Sequence, residues 1–210
     1  MSELDVYKTI AAVLALVVAI IGHEIMHGYV AYKYGDMTAK EQGRLSVNPI
    51  KHIDLVGTII LPAMLFFTGA PFLFGWAKPV PINSSTVLSR GGYFAMFNVS
   101  IAGIAFNISV AAIAAMMLGN VEGGFLNLFL FQLVIFNVVL AMFNLLPIPP
   151  LDGSQALSYI GLMLGSKTIA LWFDKIGRYG MVILVLFLIS PLSGEFFKVV
   201  REVILWLIVR

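Results

Sequence analysis

Three polar side chains at the end of a wholly apolar run constrain this chain more than any other feature. Residues 10–21 contain only apolar side chains, and they lead directly into His23, Glu24 and His27. On a helix, residues four positions apart lie on one face about 6 Å apart, so both imidazoles can reach a single ion. Ionisable groups are costly in such a segment and indicate a working site.

The spacing of these residues is the H-E-x-x-H arrangement. In that arrangement two histidines bind zinc and the glutamate accepts a proton from water. A pattern of five residues also arises by chance, but the apolar surroundings count against chance here. We therefore expect His23 and His27 to bind one zinc ion and Glu24 to act as a general base.

The composition predicts an integral membrane protein. Hydrophobic residues make up 60% of the 210 residues, charged residues make up 11%, and the mean hydropathy is +0.97. These values lie far outside those of soluble domains. The net charge of +2, spread along the chain, gives no reason to expect a nucleic-acid partner. Because cysteine is absent, any metal must be held by imidazole and carboxylate groups.

We expect one membrane-embedded domain, residues 1–210, with an all-α polytopic fold, short membrane-associated β-strands, and about four to five transmembrane helices plus a re-entrant segment. The N-terminus lacks the features of a signal peptide and is expected to be retained. The predicted segments are a helix with the H-E-x-x-H pattern (1–34), a loop or strand (35–54), a re-entrant or broken segment (55–74), an extended loop (75–92), transmembrane helices (93–118 and 125–146), a bend (147–153), a transmembrane helix (169–192), and an interfacial or short C-terminal helix (195–210).

Polar residues outside the motif have simpler interpretations. Residues 44–47 alternate weakly and residues 78–81 contain two prolines, so both are expected to be strand-like. Asn98, Gln132 and Asn137 are expected to form hydrogen bonds between helices, and His52 is expected at the surface. These four residues are therefore not expected to belong to the metal site.

A catalytic zinc needs a third protein ligand, and Asp152 is the acid best placed to supply it. It follows a helix end bent by prolines and precedes the flexible Gly153. Alone, Asp152 would be interpreted as a helix N-cap. Together with a buried H-E-x-x-H pattern, the metal interpretation is preferred.

The third ligand restricts the topology. Asp152 must lie on the same side of the bilayer as His23 and His27, yet three hydrophobic segments separate them. One segment must therefore enter and return, and the proline-broken segment 55–74 is the natural choice.

Basic residues support this topology. With segment 55–74 re-entrant, nine of them share one face: Lys33, Lys40, Arg44, Lys51, Lys78, Arg90, Lys167, Lys175 and Arg178. By the positive-inside rule, the site lies near the cytoplasmic surface and the N-terminus is extracytoplasmic.

The chain resembles the site-2 protease family, intramembrane zinc metalloproteases of the M50 type, in a minimal form without PDZ or CBS domains. The resemblance covers about residues 20–155. It rests on His23-Glu24-Ile25-Met26-His27 and Asn144-x-x-Pro147-x-Pro149-x-Leu151-Asp152-Gly153, with further matches at 43–45, 48–49, 52–54 and 74–81.

The resemblance implies His23, His27 and Asp152 as zinc ligands, Glu24 as general base, and Asn144 and Asn107 as substrate-binding residues. The segment before Asn107 lacks a proline that the family often carries. The implied reaction is hydrolysis of a peptide bond within or near a transmembrane segment. The implied substrate is a single-span membrane protein or a leftover signal peptide in the cell membrane.

Two other functions remain open at this point. One is a divalent-metal transporter, in which histidine and glutamate on a membrane helix also form an ion site. Such a protein typically has ligands on several helices at mid-membrane or a histidine-rich loop, and this chain has only three histidines. The other is a non-catalytic relative that binds membrane helices, against which the intact Glu24 argues.

Overall fold

The computed structural model describes residues 2–69 and 75–209, and this part of the chain is helical. Outside the described residues lie the end of the predicted segment 55–74 and the C-terminal Arg210. Phe74, which begins the match at 74–81, is also outside them. The helices are α1 (Glu3–Lys33), α2 (Thr38–Glu41), α3 (Leu61–Phe67), α4 (Ser84–Leu118), α5 (Gly124–Asn144), α6 (Asp152–Met163), α7 (Thr168–Gly177), α8 (Gly180–Ile189) and α9 (Pro191–Ile208).

Three helices, α1, α4 and α5, are long and apolar enough to cross a membrane. They pack against one another, and small side chains lie where they meet. Ala15 on α1, Ala111 and Ala114 on α4, and Val134 on α5 are buried in one core cluster. Small residues allow membrane helices to approach closely, which increases the van der Waals contact between their backbones. The three helices therefore form the bundle that carries the site.

The prediction of short β-strands is wrong for residues 2–69 and 75–209, where no strand occurs. Residues 44–47 and 78–81 make no ladder with a neighbouring strand. The backbone of Lys78 shows the reason, because its N–H donates to the His52 carbonyl at 2.9 Å and its carbonyl accepts from Arg44 Nη2 at 2.7 Å. Turns and side chains thus take the bonds that a strand partner would take.

The two ends of the segment that contains α3 lie close together, at Gly57 and Trp76. A 3₁₀ turn (Pro49–His52) and a π-helical turn (Leu55–Ile60) lead into α3. The Trp76 N–H then donates to the Gly57 carbonyl at 3.1 Å. The helical part, 55–67, spans no more than about 20 Å, less than a hydrocarbon core of about 30 Å. That this segment enters and leaves a membrane on one side stays a prediction.

Helix α4 begins earlier than expected, within the predicted loop 75–92. Asn83 caps it, accepting from the Thr86 N–H at 3.2 Å. Gly92 interrupts the helix with a φ of 62°, a conformation that favours glycine. The extended part of the loop therefore ends at residue 83.

The predicted transmembrane helix 169–192 is broken in the structure. Helix α7 ends at Gly177, and α8 and α9 meet at a bend of 77°. Pro191 lacks an N–H, and the Ser190 and Ser193 hydroxyls donate to the Phe187 and Leu188 carbonyls near the break. The described residues therefore contain three candidate spans, or four if α8 and α9 form one bent span, against the predicted four to five.

The C-terminal helix packs against the bundle. Val200 on α9 is buried in the core cluster of α1, α4 and α5, and Val203 and Leu207 pack on the same cluster. The charged residues Glu195 and Lys198 lie on an exposed face of α9. Residues 195–208 thus cover the side of the bundle.

The bend between α5 and α6 brings the start of α6 close to the end of α5. A Cβ atom at Gly153 would lie 2.3 Å from the Leu145 carbonyl oxygen, a distance that real Cβ atoms do not adopt. Only glycine fits this approach without moving the backbone. Gly153 therefore allows Asp152 to reach the bundle.

Candidate metal centre

Two imidazoles and a carboxylate converge inside the bundle. His23 and His27 on α1 are 7% and 9% exposed, and their Nε2 atoms are 3.0 Å apart. Asp152 Oδ2, from the first turn of α6, lies 3.1 Å from His23 Nε2 and 3.3 Å from His27 Nε2. The structure therefore brings together the three predicted metal ligands. In the sequence, Asp152 lies 125 residues after His27 and 129 residues after His23.

The outer ring nitrogens of both histidines are engaged with oxygen acceptors. His27 Nδ1 is 2.6 Å from the Val99 carbonyl, and His23 Nδ1 is 2.6 Å from Asn107 Oδ1. A carbonyl oxygen only accepts, so both Nδ1 atoms carry the hydrogen. In the neutral imidazoles the Nε2 atoms then present lone pairs to each other and to Asp152. Three electron donors this close together repel one another, and a cation between them would remove that repulsion.

The triangle of ligand atoms fits zinc. Zinc bonds of 2.0–2.1 Å at tetrahedral angles place ligand atoms about 3.3 Å apart, and the observed sides are 3.0, 3.1 and 3.3 Å. Asp152 Oδ2 is buried and accepts no hydrogen bond within the described residues. The donor set of two imidazoles and one carboxylate is one that catalytic zinc uses, with a fourth position left for water.

Asp152 is held as a carboxylate. A cation between the Nε2 atoms of His23 and His27 favours the charged form of the Asp152 carboxyl. Its position in the first turn of α6 also favours a negative charge. The side chain makes no capping bond, and Leu151 is the N-cap residue of α6. The interpretation of Asp152 as a helix cap is therefore set aside.

Asn107 lies behind His23 and is fully buried. Its amide nitrogen donates to the Ala19 carbonyl at 3.1 Å and to Asn137 Oδ1 at 2.8 Å, which turns Oδ1 toward His23 Nδ1. In place of the predicted substrate contact, we assign Asn107 a positioning role, because no substrate can reach it here. Asn137 makes the expected bond between helices and also orients Asn107.

We expect Asn107→Ala to weaken zinc binding by about 10- to 100-fold, the usual effect of removing a partner of a metal-bound histidine. The loss follows because His23 Nδ1 would have no acceptor to fix its ring. Competition with a zinc chelator measures the affinity. Asn98→Ala is the control, since Asn98 lies on the same helix but donates to Tyr34 Oη at 2.7 Å. Equal losses in both variants would contradict the positioning role.

Glu24 follows His23 on α1 and is partly buried. The Val80 N–H donates to Glu24 Oε2 at 3.0 Å. Oε1 makes no hydrogen bond within the described residues and stays available to accept a proton. The backbone of segment 75–83 therefore fixes the predicted general base beside the metal ligands.

Asn144 is the last residue of α5 and is partly buried. Its amide nitrogen donates to the Leu140 carbonyl of its own helix at 3.0 Å. This bond fixes the side chain at the bend that leads to Asp152. Its predicted contact with the substrate backbone stays a prediction.

His52 and Arg44 are the residues that sequence reasoning underestimated. The expectation of a surface position for His52 is wrong, since it is 3% exposed and its Nε2 bonds the Ser46 carbonyl at 2.8 Å. Arg44 is 7% exposed. Both belong to the short matches at 43–45 and 52–54 that support the resemblance. Within the sequence, these matches are the one signal that could have identified Arg44 and His52 as buried supporting residues.

Known proteins resemble this chain over most of its length. The family model "Peptidase family M50" matches residues 119–188. "Putative zinc metalloprotease YwhC" of Bacillus subtilis (strain 168) is 34% identical over 191 residues, which cover 87% of this chain and 81% of that protein. "Putative zinc metalloprotease Rip2" of Mycolicibacterium smegmatis (strain ATCC 700084 / mc(2)155) is 27% identical over 192 residues, 85% of this chain and 66% of that protein.

No solved structure is significantly similar to the chain. The family match includes the bend with Asp152, and the two relatives extend the similarity over more than four fifths of the chain. The similarity to YwhC alone is high enough and long enough to establish descent from a common ancestor. The chain therefore belongs to peptidase family M50.

Proposed function

We propose that this zinc metalloprotease hydrolyses a peptide bond within or near a transmembrane segment of a membrane-protein substrate. The observation that carries the proposal is the convergence of His23, His27 and Asp152 on α1 and α6, with Glu24 beside them. The family is a peptidase family, and both relatives are named as zinc metalloproteases. The apolar bundle around the site supports a substrate in the membrane.

The chain's own residues supply the ligands and the proton transfer. When bound, zinc supplies a Lewis acid that polarises the scissile carbonyl and acidifies a water molecule. Glu24 accepts the proton of the attacking water through Oε1 and later donates it to the leaving amine. The Val80 N–H holds the other carboxylate oxygen during both transfers. Asn107 keeps the His23 ring in the tautomer that binds the metal.

The substrate must be extended at the cleavage site, because a helix hides its carbonyls in hydrogen bonds. Segment 75–83 supports pairing with such a strand. The backbone N–H groups of Trp76, Lys78 and Val80 are bonded to the enzyme itself. Pro79 and Pro81 alternate with these residues and lack an N–H, so at these two positions only the carbonyl oxygens can accept from a substrate backbone. We propose that this outer edge and Asn144 contact the substrate backbone.

The site lies near one membrane surface. From His27 to the end of α1 at Lys33 is six residues, about 9 Å of helix. The distribution of basic residues supports a cytoplasmic location for this surface and an extracytoplasmic N-terminus. We propose that the protein is a multi-pass protein of the cell membrane, with a single-span protein or signal peptide as substrate.

Cleavage by the purified protein in proteoliposomes tests the proposal. A single-span reporter should be cut within or near its membrane segment, cleavage should stop with a zinc chelator, and added zinc should restore it. Zinc flux into the same vesicles tests the transporter alternative. Flux without cleavage would favour transport, and cleavage that is insensitive to the chelator would contradict a zinc mechanism.

A further inference from the structure

The segment of residues 75–83, here called the clamp segment, is fixed along one edge by the rest of the protein. Between Trp76 and Val80, alternate residues supply the bonded groups, as expected for an extended chain whose successive residues face opposite sides. The bonds are Trp76 N–H to Gly57 O (3.1 Å), Thr58 Oγ1 to Trp76 O (2.8 Å), Lys78 N–H to His52 O (2.9 Å), Arg44 Nη2 to Lys78 O (2.7 Å) and Val80 N–H to Glu24 Oε2 (3.0 Å).

Arg44 supplies the positively charged donor of this set and is buried. The side chain is 7% exposed and forms no ion pair with a carboxylate in residues 2–69 and 75–209. A buried guanidinium is costly unless its donors are bonded; among the described residues Nη2 donates to the Lys78 carbonyl, while the buried Nε has no hydrogen-bond partner. Bonds from a charged donor are also shorter and stronger than neutral ones. Arg44 is therefore the strongest attachment of the middle of the clamp segment.

The clamp segment is stiff between Lys78 and Val80. Pro79 has a fixed φ, and a proline also restricts the residue before it to extended conformations, which applies to Lys78 and to Val80. In an extended chain the carbonyl of one residue and the N–H two residues later point to the same side. Fixing the Lys78 carbonyl therefore fixes the direction of the Val80 N–H.

Val80 has little freedom to adjust on its own. Its side chain is buried, and a Cβ atom at Gly28 would lie 2.6 Å from Val80 Cγ1, so the clamp segment touches the backbone of α1 directly. Gly28 lies four residues after Glu24 on the same helix. The contact and the Val80 N–H thus set the position of Glu24 from two sides.

We propose that Arg44 is a positioning residue for Glu24, acting through the Lys78 carbonyl and the Val80 N–H. The inference rests on the proposed role of Glu24 as the general base. Within the described residues, Arg44 donates to the Lys78 carbonyl and forms no hydrogen bond with His23, His27 or Asp152. Loss of its contact releases the middle of the clamp segment, and Glu24 Oε2 loses a fixed donor. The rate of the chemical step then falls while the metal site stays intact.

Arg44→Met and Arg44→Lys test the proposal in the full-length protein with bound zinc. We expect Arg44→Met to lower kcat by about 10- to 100-fold, the loss typical of a misplaced general base, with KM and zinc content unchanged. Arg44→Lys keeps one charged donor and should recover part of kcat. Lys51→Met is the matched control, because Lys51 donates to the Gly43 carbonyl in the same loop at 3.0 Å and does not contact the clamp segment.

Hydrogen exchange gives a readout that is independent of activity. The amides of Lys78 and Val80 should exchange faster in Arg44→Met than in the wild type, and Arg44→Lys should exchange at an intermediate rate. Lys51→Met should leave them unchanged. Wild-type kcat or unchanged exchange in Arg44→Met overturns the proposal, as does a loss explained by missing zinc or shared by Lys51→Met. The proposed function fails differently, by an absence of zinc-dependent cleavage in the wild type.

Discussion

Glu24→Gln is expected to abolish peptide hydrolysis while one zinc ion per chain stays bound. Glutamine has the shape of glutamate and can still accept the Val80 N–H that Glu24 Oε2 accepts at 3.0 Å. It cannot accept the proton of the attacking water or pass it to the leaving amine. General acid and base catalysis contribute about 10²- to 10⁴-fold, so kcat should fall by at least that much.

Single-turnover cleavage of a single-span reporter, together with zinc analysis of the same sample, measures both parts of this result. Glu41→Gln is the control, since Glu41 lies on α2 and is exposed. It should cleave as the wild type does. Retained cleavage in purified Glu24→Gln would show that another group transfers the proton.

Asp152→Ala is expected to lose both zinc and activity. His23 and His27 alone give two ligands, one fewer than catalytic zinc sites use. Removal of the carboxylate also leaves two imidazole lone pairs 3.0 Å apart without the negative charge that helps to hold a cation between them. Zinc affinity should fall by more than the roughly 10- to 100-fold expected for a partner of a ligand such as Asn107.

Equilibrium dialysis against a zinc buffer measures this loss. Asp174→Ala is the matched control, because Asp174 is exposed on α7 and is not one of the converging side chains. Its affinity should equal that of the wild type. Full zinc affinity in Asp152→Ala would remove the carboxylate from the metal site.

The metal site could be predicted from the sequence because its parts have strong local signals. His23 and His27 lie four apart on a helix, and the helix is fixed by its apolar run. Asp152 has a weaker signal, since a bend after prolines also suits a helix cap. The structure resolves that ambiguity through the close approach at Gly153, which the sequence shows only as a glycine.

The roles of Asn107 and Arg44 could not be predicted, because their hydrogen-bond partners are set by packing between residues far apart in the sequence. Asn107 bonds His23 across 84 positions, and Arg44 bonds Lys78 across 34. No local pattern states these pairings. The missing strands have the same cause, since side chains and turns took the backbone bonds of the clamp segment. The break between α8 and α9 has a local signal, because Pro191 has no N–H and cannot continue the preceding helix. The prediction of one helix over 169–192 followed the apolar residues and gave too little weight to this proline.

X-ray absorption at the zinc edge tests the central claim most directly, namely that His23, His27 and Asp152 hold one ion. The zinc-loaded wild type should show only nitrogen and oxygen ligands at about 2.0–2.1 Å, with the outer-shell scattering of two imidazoles. His27→Ala should lower the imidazole count to one in whatever zinc remains bound. A zinc signal without imidazole scattering, or one that the substitution leaves unchanged, would contradict the site.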